Sequence, residues 1–186
     1  MKPGLRVKIN GKTIPMIELE QLHIEETINS VSSKLSRLKD ARNIEEPALI
    51  GIRRGGVWIG KKISEQCFPG EEFGELNIAY YRDDFRRIGL HPTVEPSELP
   101  FSIEGRDVIL FDDILHTGRT IRAAMNEIFD YGRPDSVSLV VLLDRGGREL
   151  PISPDISGIN MQLSDKYHVK IENNASLEFK VFERQE

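Results

Sequence analysis

Short apolar runs alternate along the chain with longer segments in which apolar residues recur every three or four positions. The short runs cover 48–52, 108–112 and 137–143 and predict strands buried on both faces, because they lack the polar alternation of a half-exposed strand. The segments between them have the spacing of amphipathic helices. Strands interleaved with helices predict an α/β fold with a mainly parallel central sheet flanked by helices. The apolar positions of the three predicted helices are Ile24, Ile28, Val31, Leu35 and Leu38, then Val57, Ile59, Ile63 and Cys67, then Ile121, Ala124, Met125 and Ile128.

Weaker patterns predict strands outside this core. Apolar-rich segments at 5–9 and 13–17 flank Asn10-Gly11, a strong signal for a β-hairpin. Alternation over 76–81 predicts a further strand, and the pattern over 177–182 predicts an edge strand that closes the sheet.

Two segments show neither the alternation of a strand nor the three-to-four-residue spacing of a helix. Residues 84–105 are polar and contain several prolines. A loop of about 20 residues is uncommon in a compact domain unless it is a lid or disordered. Residues 145–170 contain prolines and glycines and predict a small irregular flap. We therefore expect a mobile loop at 84–105 and an irregular hood at 145–170 that the N-terminal hairpin joins.

Composition restricts the class of protein. A chain of 186 residues with 39% hydrophobic and 30% charged residues suits one globular domain, expected here over residues 1–186. The net charge of −5 gives no general attraction to nucleic acid, so RNA contact would need a local basic patch. The single cysteine, Cys67, excludes an internal disulfide and fits a reducing compartment. No apolar run approaches the roughly 20 residues of a membrane span, and no signal peptide opens the chain. We expect a cytoplasmic protein.

The richest chemistry follows the strand at 108–112. Asp112 and Asp113 end the apolar run, and the turn Thr117-Gly118-Arg119-Thr120 opens the third helix. The first N–H groups of a helix lack internal partners and favour an anion, so this turn predicts a phosphate site. Paired carboxylates can accept hydrogen bonds from sugar hydroxyls and can hold Mg²⁺. The ligand indicated is a metal-bound sugar phosphate, and the alternative is an acidic surface turn.

A second glycine-bearing loop follows the strand at 48–52. Its sequence is Arg53-Arg54-Gly55-Gly56, so two arginines stand beside two glycines that permit close approach to a ligand. Paired arginines could neutralise a pyrophosphate. Standing alone, the loop would equally suit a tight turn with solvated arginines.

The order of strand, acid pair, Thr-Gly-Arg-Thr and helix resembles the phosphoribosyl pyrophosphate (PRPP) signature of the type I phosphoribosyltransferases. Within them the chain is similar to the pyrimidine operon regulator/uracil phosphoribosyltransferase (PyrR-type) family. The resemblance runs from about residue 47 to about residue 165. The further matching stretches are the arginine–glycine loop at 51–56, Tyr81-Arg82-Asp83-Asp84, Gly132-Arg133-Pro134, and Asp144 to Ile152.

The resemblance implies displacement of pyrophosphate from PRPP by a base, with Mg²⁺ as cofactor and a transition state like an oxocarbenium ion. The loop at 84–105 would close over the substrates, the hood would help to form the base pocket through backbone groups, and the chain would form a dimer or larger homo-oligomer. The implied roles are the 5′-phosphate for Thr117, Gly118, Arg119 and Thr120, the ribose hydroxyls and metal for Asp112 and Asp113, the pyrophosphate for Arg53, Arg54 and Gly55, closure over pyrophosphate for Arg82, and the base for Leu115, His116 and Arg145.

The chain departs from the family pattern at the base site. His116 stands where the family usually has Tyr or Phe, and purine enzymes commonly have Asp. The imidazole could assist proton removal from the base or fill the same space as an aromatic ring, and we favour space-filling.

Other departures concern RNA. The family's Asp-Arg-Gly-His-Arg reads Asp144-Arg145-Gly146-Gly147-Arg148 here, so a histidine is lost. Together with the net charge, the changed positions argue against tight RNA binding. We expect a uracil phosphoribosyltransferase that makes UMP, and the alternatives are a purine-base enzyme, suggested by Arg54-Gly55-Gly56, and a nucleotide-sensing RNA-binding regulator. The changed positions are Gly147, Ser153 and Ile159, with Asn29, Ser30 and Ser33 on the first helix.

Overall fold

The computed structural model describes residues 6–9, 12–15, 24–78, 96–173 and 177–183. Within these ranges there are three helices, α1 (Ile24–Arg42), α2 (Gly55–Cys67) and α3 (Arg119–Tyr131). The strands are β1 (Arg6–Ile9), β2 (Lys12–Pro15), β3 (Ala48–Ile52), β4 (Phe73–Leu76), β5 (Asp107–Leu115), β6 (Ser136–Asp144), β7 (Ile156–Gln162), β8 (Tyr167–Asn173) and β9 (Leu177–Glu183).

Seven strands form one sheet in the order β2-β1-β7-β6-β5-β3-β4. The five strands from β7 to β4 run parallel, and the β1–β2 hairpin adds antiparallel to β7. The predicted α/β fold with a mainly parallel sheet is confirmed. The predicted hairpin is present, although its turn residues lie outside the described part of the chain.

Helices cover both faces of the parallel sheet. Successive residues of β5 point to opposite faces, so Phe111 joins the core beneath α1 and α2, whereas Leu110 joins the core beneath α3. Both side chains are fully buried. Burial on both faces explains why the predicted strands read as continuous apolar runs. Cys67 packs in the first of these cores, as expected.

The strand predicted at 76–81 is displaced. The observed β4 spans Phe73–Leu76, and residues 79–81 lie outside the described ranges. Its register against β3 pairs Leu49 with Phe73 and Ile52 with Leu76. The Phe73 ring stacks on Phe111 at 5.9 Å, a contact between distant residues that alternation within 76–81 could not reveal.

The segment predicted as a loop at 84–105 is described only in part, and the described part is attached to the sheet. Residues 84–95 are outside the described ranges, but 96–105 lie against the sheet. Glu98 exchanges two backbone hydrogen bonds of 2.8 Å with Glu75, and Ile103 is buried in the α3 core. Backbone pairing and burial therefore hold this end of the segment in place.

The segment at 145–170 is more regular than predicted. The β7 strand joins the parallel sheet beside β6, with Ile156, Ile159 and Met161 buried. The β8 strand pairs antiparallel with β9, so the tail closes a separate two-stranded sheet and not the main one. Pro154 before β7 and Gly158 within it explain why the sequence pattern did not indicate β7. Among the described residues, no helix is long and apolar enough to cross a membrane.

Candidate active site

The predicted site residues gather where β3, β5 and β6 end. These strands are parallel neighbours, so their carboxyl ends and the loops that follow lie along one edge of the sheet. The β5 strand continues to Leu115, three residues beyond the predicted end at Asp112, because pairing with β6 extends to Leu115 and Asp144. The acid pair therefore sits on a strand that is held by the sheet.

Local backbone hydrogen bonds orient both carboxylates. The Asp113 N–H donates to Asp112 Oδ1 at 3.0 Å, and the Ile114 N–H donates to Asp113 Oδ1 at 2.9 Å. Asp112 is buried, with 4% of its surface exposed, and Asp113 is half-buried. Two adjacent carboxylates at the mouth of a parallel sheet suit ribose hydroxyls or a hydrated cation.

The arginine–glycine loop touches the acid pair. A Cβ added at Gly55 would lie 2.1 Å from Asp113 Oδ2, which is too close for any side chain. Gly55 therefore lets the β3–α2 loop rest directly on the Asp113 carboxylate. The structure brings the predicted pyrophosphate loop and the predicted ribose site into contact.

The two arginines of this loop differ in their surroundings. The guanidinium of Arg53 donates through Nε to Glu75 Oε2 at 2.9 Å, and its Nη2 lies 3.6 Å from Glu98. The pKa of Glu75 lies below its ordinary 4.5, chiefly because Lys61 donates a hydrogen bond to it, while burial opposes the shift and Arg53 adds to it. Arg54 is exposed. Arg53 therefore serves the loop's attachment to β4, and Arg54 is the better candidate for binding an anion.

The turn from Thr117 to Thr120 opens α3 as predicted. Gly118 precedes the helix with φ of +91°, in the left-handed region that favours glycine. The backbone N–H of Arg119, the first residue of the helix, donates to Thr117 Oγ1 at 3.3 Å. The Arg119 guanidinium pairs with Glu149 at 2.7 Å on the surface. The backbone amides and hydroxyls of the turn are therefore better candidates for the phosphate than the Arg119 side chain.

The three residues predicted for the base also come together. Leu115 is buried, and its carbonyl accepts the Arg145 N–H at 3.0 Å. The Arg145 side chain is 3% exposed and donates to the Tyr167 carbonyl at 3.3 Å. His116 Nε2 and Arg145 Nη2 lie 3.9 Å and 3.7 Å from the exposed carboxylate of Asp165. Arg82, predicted to close over pyrophosphate, lies outside the described residues.

Sequence reasoning missed the role of Arg148. Its guanidinium donates to Asp144 at 2.7 Å and to the carbonyls of His116 and Ile152 at 2.8 Å each. It thus ties the end of β6 to the segment that carries His116. The only sequence signal was its place in the matching stretch from Asp144 to Ile152.

The acid pair offers few protein ligands to a divalent cation. Among the described residues, no group of three or more His, Cys, Asp and Glu side chains is placed to hold a metal ion. Asp112 and Asp113 provide oxygen donors, which Mg²⁺ prefers, and Mg²⁺ commonly completes its shell with water and substrate phosphate. The donor set therefore fits a magnesium ion that shares its ligands with a phosphorylated substrate.

Comparisons with known proteins agree with this geometry. A family model described as "Phosphoribosyl transferase domain" matches residues 18–173, which defines the class of the protein. A protein named "Bifunctional protein PyrR" from Nitrosococcus oceani is 47% identical over 86% of this chain and 92% of its own length. A protein of the same name from Pseudomonas putida is 52% identical over 73% of this chain and 79% of its own. The chain belongs to the PyrR-type branch of the type I phosphoribosyltransferases.

Solved structures share the fold. A hypoxanthine phosphoribosyltransferase from Staphylococcus aureus aligns with a TM-score of 0.57 and 22% identity over 76% of each chain. The enzyme of that name from Trypanosoma cruzi aligns with a TM-score of 0.56 and 21% identity over 74% of this chain and 76% of its own. Family membership makes the chain a pentosyltransferase, and within that class the phosphoribosyltransferases generally use PRPP with Mg²⁺.

Proposed function

We propose that the chain transfers the ribose 5-phosphate of PRPP to uracil, giving UMP and pyrophosphate. The observation that carries the proposal is the contact of Gly55 with Asp113, because it sets a pyrophosphate loop against a ribose-binding acid pair. The proposal includes one domain over residues 1–186, a cytoplasmic setting and a homo-oligomer of two or more chains.

Each part of the site has a separate task in this proposal. Backbone amides and hydroxyls of the turn from Thr117 to Thr120 hold the 5′-phosphate, and Arg54 attracts the pyrophosphate. Asp112 and Asp113 accept hydrogen bonds from the two ribose hydroxyls. The family's Mg²⁺, when bound, neutralises charge on the departing pyrophosphate, and the same two carboxylates are its candidate ligands.

The reaction is a substitution at the anomeric carbon. The bond from this carbon to a pyrophosphate oxygen breaks, and a bond to N1 of uracil forms, while the N1 proton leaves to solvent or a nearby base. Positive charge develops on the ribose ring in the transition state, close to two carboxylates that are already in place. Fixed charges that need no reorganisation lower the barrier, so the site works by position and electrostatics.

Uracil is favoured over a purine by the PyrR-type resemblance, which covers the base-side stretch from Asp144 to Ile152. The Arg54-Gly55-Gly56 sequence supports the purine alternative, since it resembles the Lys-Gly-Gly of purine enzymes. Regulation of a pyrimidine operon through RNA is the third candidate, and the changes at Gly147, Ser153 and Ile159 argue against it.

The test is product formation from PRPP and Mg²⁺ with uracil, hypoxanthine and guanine supplied singly. We expect UMP and pyrophosphate in equal amounts with uracil and at least tenfold lower kcat/KM with either purine. Higher kcat/KM with a purine would replace uracil by the purine alternative. Inactivity with all three, combined with tight and UMP-enhanced binding to pyrimidine-operon leader RNA, would replace the enzyme by the regulator.

Arg54 and Arg53 provide a comparison within the same loop. Because Arg54 is exposed and Arg53 is paired with Glu75, Arg54→Ala should raise KM for PRPP with little effect on the melting temperature. Arg53→Ala should instead lower the melting temperature. The reverse pattern would assign the pyrophosphate to Arg53.

A further inference from the structure

His116 and Gly147, two positions at which the chain departs from its family's pattern, are in contact. A Cβ added at Gly147 would lie 2.9 Å from His116 Nε2 and 3.0 Å from His116 Cδ2. The imidazole edge therefore rests against the bare Cα of Gly147. A histidine at 147 would need the volume that the His116 ring now occupies.

The backbone carbonyls of Leu115 and His116 already accept hydrogen bonds within the protein. A carbonyl oxygen has two lone pairs, and the Leu115 carbonyl accepts from the Arg145 N–H at 3.0 Å and from Arg148 Nη1 at 3.5 Å. Arg148 Nη1 also reaches the His116 carbonyl at 2.8 Å. The half-buried imidazole adds a polar side-chain group beside these two carbonyls.

From this contact we propose that Gly147 is a specificity-determining residue. The missing side chain at 147 lets the His116 imidazole line the base site, where it contacts the pyrimidine ring of the nucleotide. The Asp165 carboxylate lies 3.9 Å from the imidazole and 3.7 Å from the Arg145 guanidinium, so these two residues add charged groups beside the imidazole. This inference rests on the proposed function, and it assigns base affinity to a pair of residues that lie 31 positions apart in the chain.

The chain offers a matched control for the glycine. Gly147 has φ of +74° and Gly146 has φ of +70°, so an alanine costs similar backbone strain at either position. A Cβ at Gly146 would meet only the Met161 carbonyl, at an ordinary 3.6 Å. The difference between Gly147→Ala and Gly146→Ala therefore isolates the contact with His116.

The experiment measures UMP binding, which needs no turnover. The protein has four histidines, and the His116 ring resonance is identified by its loss in His116→Ala. We expect UMP to shift this resonance in the unmodified protein. Gly147→Ala should displace the free-state resonance and weaken UMP binding about three- to tenfold more than Gly146→Ala does, a loss that lies within the range found for coupled residues in contact.

The same two glycine variants are then made in the His116→Ala background. With the imidazole absent, Gly147→Ala and Gly146→Ala should weaken UMP binding equally. If either alanine variant does not fold, asparagine replaces alanine at both positions, because asparagine tolerates the left-handed region better.

Two results would overturn the inference. One is an unmoved His116 resonance on addition of UMP, and the other is an equal loss from the two glycine variants while His116 is present. Failure of uracil transfer with UMP binding and its His116 dependence intact would instead refute the proposed reaction, so the two failures are distinguishable.

Discussion

Replacing Gly55 with alanine tests the contact on which the proposed reaction depends. The new Cβ would lie 2.1 Å from Asp113 Oδ2, whereas an ordinary contact begins at 3.4 Å. The carboxylate or the loop must therefore move by about 1.3 Å, the difference of these distances. A misplacement of about 1 Å at a reacting centre can lower the rate about 100-fold, which corresponds to about 2.7 kcal/mol of transition-state stabilisation.

The assay measures kcat/KM for PRPP at saturating uracil, and the release of pyrophosphate reports the reaction. The control is Gly74→Ala on β4, where a Cβ would meet Leu99 at 2.6 Å and the Phe101 ring at 3.1 Å, away from the strand that carries the acid pair. Overpacking of this kind costs about 1–3 kcal/mol of stability, so the control should melt earlier and keep its rate. A rate for Gly55→Ala within threefold of the unmodified protein, or an equal loss of activity in both variants, would refute a role for this contact in the reaction.

The remaining predictions concern the acids, the loop attachment and the base-side arginine. Asp112→Asn and Asp113→Asn should each lower kcat about 100-fold or more by removing charge that faces the transition state, whereas Asp130→Asn, an exposed change on α3, should leave kcat unchanged. Glu75 has a pKa below 4.5, so its ion pairs stabilise the fold above that pH and are lost as the pH falls through the lowered value. Glu75→Gln should therefore reduce the free energy of unfolding at pH 7, and this deficit should shrink below pH 4.5 in urea titrations. Arg148→Lys should cost about 2 kcal/mol of stability and raise KM for the base, because lysine cannot reach Asp144 and two carbonyls together; an unchanged KM would contradict its positioning role.

The sequence pattern correctly predicted those strands and turns whose structure depends on residues that are close together in the chain. The apolar runs of β3, β5 and β6 are buried on both faces, so their sequences alone identify them. The turn at 117–120 was predicted because a strand, a glycine and an amphipathic helix follow each other within a few residues. Family resemblance then supplied the roles of these residues.

What the sequence could not predict depends on partners far along the chain. The β7 strand became visible only beside β6, since Pro154 and Gly158 interrupt its apolar pattern. The sequence did not indicate that the Arg53 guanidinium pairs with Glu75, which is 22 residues away. The periodicity of a sequence does not indicate which of two adjacent arginines pairs with a carboxylate.

The two glycine contacts lie at opposite ends of the segment from Asp113 to His116, and they should control different quantities. Gly55 touches the Asp113 carboxylate, for which we propose contact with the ribose, so its replacement should act on the rate. Gly147 touches the His116 imidazole, for which we propose contact with the base, so its replacement should act on base affinity. The nearest atoms that the two new Cβ atoms would meet belong to different residues, so we expect the two changes to be additive within about 0.3–0.5 kcal/mol. A departure from additivity in kcat/KM for uracil larger than this would show that the end of β5 moves as one unit. Rate and base specificity would then depend on the same structural change.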